Sequence, residues 1–76
     1  MNDYKEYITV DPGKRNGQPC IRGMRITVGD LLSYLAAGMT IEEILKDFKQ
    51  LTREDILAAL ANAADVLKGS PSNIYP

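Results

Sequence analysis

The sequence contains no histidine and a single cysteine, Cys20. Without histidine, the chain lacks the most common general base and the most common metal ligand. One cysteine cannot form an internal disulfide, which fits a protein of the reducing cytoplasm. Because Cys20 has no histidine to activate it, we expect it to be a small buried residue. The sequence therefore predicts a protein that is not an enzyme and that has no metal or cofactor.

Long apolar runs are also missing. No stretch reaches the ~18 consecutive apolar residues that indicate a transmembrane helix, and residues 1–7 are polar, unlike a secretory signal peptide. We expect a soluble cytoplasmic protein with no membrane partner. Its 76 residues, 45% hydrophobic and 25% charged, are typical of one small domain. Because a core of this size seldom supplies more than ~3–5 kcal/mol, we expect a homodimer.

Residues 1–27 hold β-prone segments and turn signals. The segment 7–10 is β-prone and ends at a turn signal in residues 11–13, and a second turn signal follows at residues 16–17. Further β-prone residues bracket a tight turn at Gly23. These features predict two or three short strands forming a hairpin that packs on the helices or on a second subunit.

Three helices are predicted in the following segment. Each begins with a threonine followed three residues later by a carboxylate, which is the capping-box pattern or a looser form of it. Apolar residues then recur at helical spacing and form one stripe on each helix, which in the third helix consists of Ile56, Leu60, Ala63 and Leu67. Glycines stand where the first and third helices should end. The predicted helices span residues 28–37, 41–48 and 53–68. The capping pairs are Thr27 with Asp30, Thr40 with Glu43, and Thr52 with Asp55.

The predicted fold is mainly α, a three-helix bundle over residues 28–68 with an N-terminal β-hairpin in residues 1–27. Residues 1–68 form a single domain, and residues 69–76 form a flexible C-terminal tail. The second and third helices have helix-turn-helix spacing, in which the last helix enters a DNA major groove. Short helical hairpins in unrelated bundles have the same spacing, so DNA binding stays open on this ground.

The charges are unevenly distributed. Residues 28–76 have a net charge of -3, and carboxylates at the start of the third helix would repel phosphates, whereas residues 1–27 have a net charge of +2. The hairpin should therefore supply much of any phosphate contact, although its cations could equally serve solubility alone. The candidate side chains for contact with DNA or a partner protein are Lys14, Arg15, Arg22, Arg25, Arg53 and Asn62.

Three segments together resemble one protein family. Residues 16–28, NGQPCIRGMRITV, resemble the G-x-P-x-I-x-G-x-R-I opening of domain-of-unknown-function family 433. Residues 35–45 and 51–56 resemble its following helices, so the resemblance covers residues 7–67. It implies a homeodomain-like or winged helix-turn-helix fold. It also implies a VapB-type antitoxin of a type II toxin–antitoxin pair, whose partner is a PIN-like ribonuclease.

The preferred hypothesis is therefore a small antitoxin that neutralises a PIN-like toxin and represses its own operon by binding operator DNA. In this hypothesis Arg22 or Arg25 pairs with the carboxylates of the toxin's metal site in place of a metal ion. One alternative is a free-standing helix-turn-helix regulator. Another is a protein-interaction module that does not bind DNA and uses the alanine-rich stretch 58–64 of the third helix, where small side chains let another helix approach closely.

Overall fold

A computed structural model describes residues 4–69, in which a two-stranded antiparallel sheet precedes three α-helices. The predicted mainly α fold with an N-terminal hairpin is confirmed, and each helix bound lies within one residue of its prediction. Of the predicted tail, only Gly69 is among the described residues. The elements are β1 (Ile8–Thr9), β2 (Cys20–Ile21), α1 (Val28–Ala36), α2 (Ile41–Asp47) and α3 (Arg53–Lys68), with single turns of 3-10 helix at Lys5–Tyr7 and Arg15–Gly17.

All three helices begin with a complete capping box. In each, the threonine hydroxyl accepts the backbone N–H of the residue three positions later, and the carboxylate of that residue accepts the threonine's own N–H. Each box thus satisfies two backbone N–H donors. One of them belongs to the first turn of the helix, where N–H groups have no acceptor within the helix. This local chemistry explains why the starts of the helices are readable from the sequence.

The β-hairpin is short, its strands are connected by residues 10–19, and a tight turn follows its second strand. Ile8 pairs with Ile21 and Thr9 with Cys20, and the chain then turns back so that the Ile21 N–H donates to the Ile26 carbonyl at 2.9 Å. The backbone φ of Gly23 is +75°, a left-handed conformation that glycine adopts without strain. The third strand that the sequence left open is reduced to one isolated bridge at position 27.

The core joins the hairpin to all three helices. Its most buried side chains include Ile21 from β2, Leu31 from α1, Ile44 from α2 and Ile56 from α3, each 0% exposed. Cys20 is 1% exposed, which confirms its assignment as a small buried residue. No helix among the described residues combines the length and the apolar composition needed to cross a lipid bilayer.

One part of the predicted core stripe is wrong. The helical spacing placed Leu60 and Leu67 in the interior, but they are 38% and 69% exposed. The reason is the length of α3. Its 16 residues extend about 24 Å, whereas the nine residues of α1 and the seven of α2 extend only about 14 and 10 Å. The last turns of α3, which include Leu67, therefore extend beyond the length that the two shorter helices can cover, whereas Leu60 lies in the middle of α3 and its exposure has no such explanation.

Candidate partner-binding surface

Arg22 is held in an internal ion pair with Asp55. Its Nε donates to Asp55 Oδ1 and its Nη2 to Oδ2, both at 2.8 Å, and Nη2 also donates to the Gln50 carbonyl at 2.9 Å. Burial raises the pKa of Asp55, but hydrogen bonds from Arg22 and Thr52 outweigh it and leave that pKa below its ordinary value. The same pair raises the pKa of Arg22. Arg22 thus connects the hairpin to the start of α3.

Arg15 is also engaged within the molecule. Its Nη1 donates to Asp30 Oδ2 at 2.9 Å and to the Arg25 carbonyl. The Arg15 hydrogen bond lowers the pKa of Asp30; burial opposes this, and a backbone hydrogen bond from Thr27 adds to the lowering. The Asp30 carboxylate in turn raises the pKa of Arg15. Arg15 therefore fastens the loop between the strands to the first turn of α1.

Lys14 is engaged through the same loop, because its Nζ donates to the Gly23 carbonyl. With Arg15 bonded to the Arg25 carbonyl, two long cationic side chains anchor the backbone of the tight turn. Lys14 and Arg15, which were predicted to contact a partner, thus stabilise the turn by donating hydrogen bonds to its carbonyl oxygens.

Arg53 forms an exposed ion pair with Glu42. The two side chains are 49% and 72% exposed and connect the first turn of α3 to the first turn of α2. The Glu42 pKa is lowered first by a hydrogen bond from its own backbone N–H at the helix start, and then by Arg53. Because exposed pairs are well solvated, they contribute little to stability, and Arg53 can exchange Glu42 for another anion.

Arg25 differs from the other hairpin arginines. It is exposed, and its side chain makes no hydrogen bond or ion pair with any residue in the range 4–69. Its backbone is nevertheless fixed, because the Met24 N–H donates to the Ile21 carbonyl at 2.7 Å and Arg15 holds the Arg25 carbonyl. The structure therefore presents one unpaired guanidinium on a well-anchored turn.

Asn62 lies away from these cations, beside an apolar groove between α1 and the C-terminal half of α3. The groove has a volume of about 310 Å³. Asn62 is half-buried, and its amide neither forms the groove surface, which is almost wholly apolar, nor bonds to the described residues. It lies nine residues, or about 14 Å, along α3 from Arg53, so the two are not grouped. The groove is lined by Pro19, Val28, Leu32, Asn62, Ala63, Val66 and Leu67.

The sequence did not indicate this groove. Two of its lining residues, Val66 and Leu67, are 65% and 69% exposed, unusually high for large apolar side chains. The alanine-rich stretch 58–64, considered above as an interaction surface, contains two of the lining residues, Asn62 and Ala63. No group of three or more His, Cys, Asp or Glu side chains that could hold a metal ion occurs between residues 4 and 69.

The fold defines a small domain of three helices and an N-terminal two-stranded hairpin, joined by the ion pair between Arg22 and the buried Asp55. Residues 8–63 match the family model described as "Protein of unknown function (DUF433)". The chain therefore belongs to the DUF433 family, which confirms the resemblance of its three segments.

The chain is similar to a protein of known structure and to a second, uncharacterized protein. The crystal structure of a DUF433 member protein from Anabaena variabilis matches with a TM-score of 0.77 and 34% identity, over 80% of this chain and 60% of that one. The uncharacterized protein y4eO of Sinorhizobium fredii is 35% identical over 66 residues, which are 86% of this chain and 30% of that protein. The chain thus spans less than two thirds of either relative.

Proposed function

We propose that this protein is the antitoxin of a type II toxin–antitoxin pair, and that it binds a PIN-like ribonuclease through its β-hairpin. It acts in the cytoplasm by occupying the toxin's active site and has no enzymatic activity itself. The class of partner comes from the resemblance to VapB-type antitoxins. The observation that carries the contact is Arg25, the hairpin arginine whose guanidinium is exposed and unpaired within residues 4–69.

The chemistry of the contact follows from the two sites. A metal-dependent nuclease clusters carboxylates to hold its ion, and a guanidinium forms short, bidentate, charge-assisted hydrogen bonds with a carboxylate. Arg25 would therefore replace the metal's positive charge. Because the turn carrying Arg25 is already anchored by Lys14 and Arg15, little backbone freedom is lost on binding.

Of the two arginines considered for this role, the structure favours Arg25. The charge of Arg22 is already matched by Asp55, whose side chain is 0% exposed. Releasing Arg22 to a partner would leave a buried carboxylate unpaired, which is strongly unfavourable. In this proposal Arg22 supports the hairpin from inside, while Arg25 contacts the toxin.

The test is neutralisation of the partner ribonuclease by variants of the full chain. Arg25→Glu should lose toxin binding and neutralisation, and Arg25→Lys should retain part of both because it keeps the charge but not the bidentate geometry. Lys46→Glu is the matched control, since Lys46 is an exposed cation in the last turn of α2 and forms no ion pair with the described residues. Equal binding by Arg25→Glu and the control would contradict the assigned contact.

Operator binding is a second candidate activity, either for autoregulation or as a free-standing regulator. It is favoured by the α2–turn–α3 arrangement, in which both helices are capped and Arg53 is the first residue of α3. Salt-dependent binding to a palindromic operator, weakened by Arg53→Ala, would support it. Binding that is equal on all sequences, or unchanged in that variant, would count against it.

A further inference from the structure

We propose that the outer face of α3, formed by Leu57, Leu60, Ala61 and Ala64, pairs with the same face in a second copy of this chain, antiparallel and about a two-fold axis at Ala61. The contact uses none of the hairpin cations and does not depend on the antitoxin assignment. In the operator-binding alternative this face would have to enter a DNA major groove, so the two uses of α3 exclude one another.

The outer face is apolar, although it points away from the core. At about 100° per residue, Leu57 and Ala61 lie on the side of α3 opposite Ala59, which is 0% exposed. Leu57 is 42% exposed and Leu60 is 38% exposed. A surface helix normally carries polar residues on this side. A second apolar surface packed here would remove both leucines from water and would account for the exposure of Leu60 in the middle of the helix.

Two charges at the ends of this face identify the occupant. Glu54 lies in the first turn of α3 and Lys68 in the last. They stand seven residues before and after Ala61, so all three lie on one side of the helix, and the two charges are about 21 Å apart along it. A partner that matches both must present the opposite charges over the same length. A second α3 in the antiparallel direction does this, since Glu54 of each copy then lies opposite Lys68 of the other.

Every other charged side chain of α3 is already engaged within the described residues. The pairs are Arg53 with Glu42, Asp55 with Arg22, and Asp65 with the Tyr4 hydroxyl. Glu54 and Lys68 are exposed, and neither side chain forms a hydrogen bond or ion pair in the range 4–69. The two charges that α3 leaves for a partner are thus those whose positions fit an antiparallel copy. A parallel copy would place like charges against each other.

The side chains between these charges are complementary in size. In the antiparallel pair, Leu57 of each copy lies within one residue of Ala64 of the other, and the two Ala61 side chains meet at the axis. Small residues let two helices approach to the lower end of the usual interaxial distance of about 8–10 Å. Two helices in contact over this length bury less than a standard interface, which buries about 800 Å² per partner. We therefore expect a reversible dimer with a micromolar dissociation constant.

The first test is the oligomeric state of the full chain by sedimentation equilibrium, over a concentration series that reaches roughly 1 mM. The wild type should shift from monomer to dimer, and Leu57→Glu should weaken the dimer by at least about 30-fold because it places a charge in the apolar contact. Val66→Glu is the control, since Val66 is 65% exposed on α3 but lines the groove beside α1 instead of the outer face. Circular dichroism verifies that the variants are folded.

The second test addresses the antiparallel direction. Glu54→Lys and Lys68→Glu each turn both end contacts of the dimer into contacts between like charges, so each should weaken the dimer about fivefold or more at low salt. The double variant restores opposite charges at both ends and should recover the wild-type affinity. A wild type that stays monomeric, a Leu57→Glu dimer as strong as the Val66→Glu control, single charge variants as strong as the wild type, or a double variant as weak as the single ones would each overturn the proposal.

Discussion

Arg22 and Asp55 lie 33 residues apart in the sequence and are joined by two hydrogen bonds of 2.8 Å. Asp55 also accepts the Thr52 N–H, so a single carboxylate both caps α3 and holds the hairpin. Arg22 has a φ of +44°, a left-handed conformation that is uncommon for a residue other than glycine. The ion pair thus fixes the turn that presents Arg25.

Removing the buried carboxylate should be clearly destabilising. Asp55→Ala leaves the Thr52 N–H and the Arg22 guanidinium without their acceptor, and because Arg22 is 40% exposed and can be hydrated, we expect a cost of about 1–3 kcal/mol rather than that of a buried unpaired charge. Since a core of this size seldom supplies more than about 3–5 kcal/mol, this is a large part of the total stability. Urea denaturation followed by circular dichroism measures this. Arg53→Ala, which breaks an exposed pair, is the control, and equal effects would contradict the account.

Stability should depend on pH through the same group. The pKa of Asp55 is lowered in the folded chain, so its contribution is fully present above the unfolded-state value of about 3.9. The contribution is lost as the pH falls through the lower folded-state pKa. Asp30, whose pKa is also lowered, acts in the same direction. Melting temperatures should therefore be steady near neutral pH and fall in acid.

An arginine variant separates these two carboxylates. Arg15→Ala removes the largest cause of the Asp30 shift and leaves the Asp55 pair intact. The melting temperature of this variant should decline less steeply in acid than that of the wild type. It should still depend on pH, because the Asp55 pair remains. Identical slopes for the two proteins would show that the Asp30 pair is not formed in solution.

Alanine substitution at two glycines, one within α1 and one directly after it, should change the free energy of unfolding in opposite directions. Gly29 lies within α1, where an added Cβ meets only ordinary contacts, so Gly29→Ala should stabilise the fold by roughly 0.5–1 kcal/mol. Gly38 has a φ of +99° at the turn after α1, so Gly38→Ala should destabilise it by about 1–2 kcal/mol. Thermal unfolding of both variants measures the difference, and a shared sign would contradict the assigned backbone conformations.

The elements predicted correctly are those fixed by nearby residues. A capping box links positions three apart, and Thr40 with Glu43 therefore revealed the start of α2 before any tertiary information. The Arg22–Asp55 pair could not be found this way, because it depends on how the hairpin folds over the bundle. Helical periodicity likewise predicted which face of α3 carries Leu67. It could not predict whether a neighbouring element is long enough to cover that face.

The candidate site shows the same limit. In the sequence the hairpin cations were equivalent, since no acidic residue lies among Lys14, Arg15, Arg22 and Arg25. Their partners Asp30 and Asp55 belong to the helices, so only the folded chain separates the engaged cations from Arg25. Asn62 was selected for base contact by residue type alone, and its position beside the apolar groove became visible only once α1 and α3 were packed.

The most direct test of the proposed function is affinity capture of the tagged full-length protein from its native cells, with and without nuclease treatment. The account predicts a stoichiometric small ribonuclease with an acidic active site under both conditions. Recovery of that partner should fail with Arg25→Glu and persist with Lys46→Glu. Recovery of DNA with no stoichiometric protein partner would contradict the antitoxin proposal and favour a free-standing regulator.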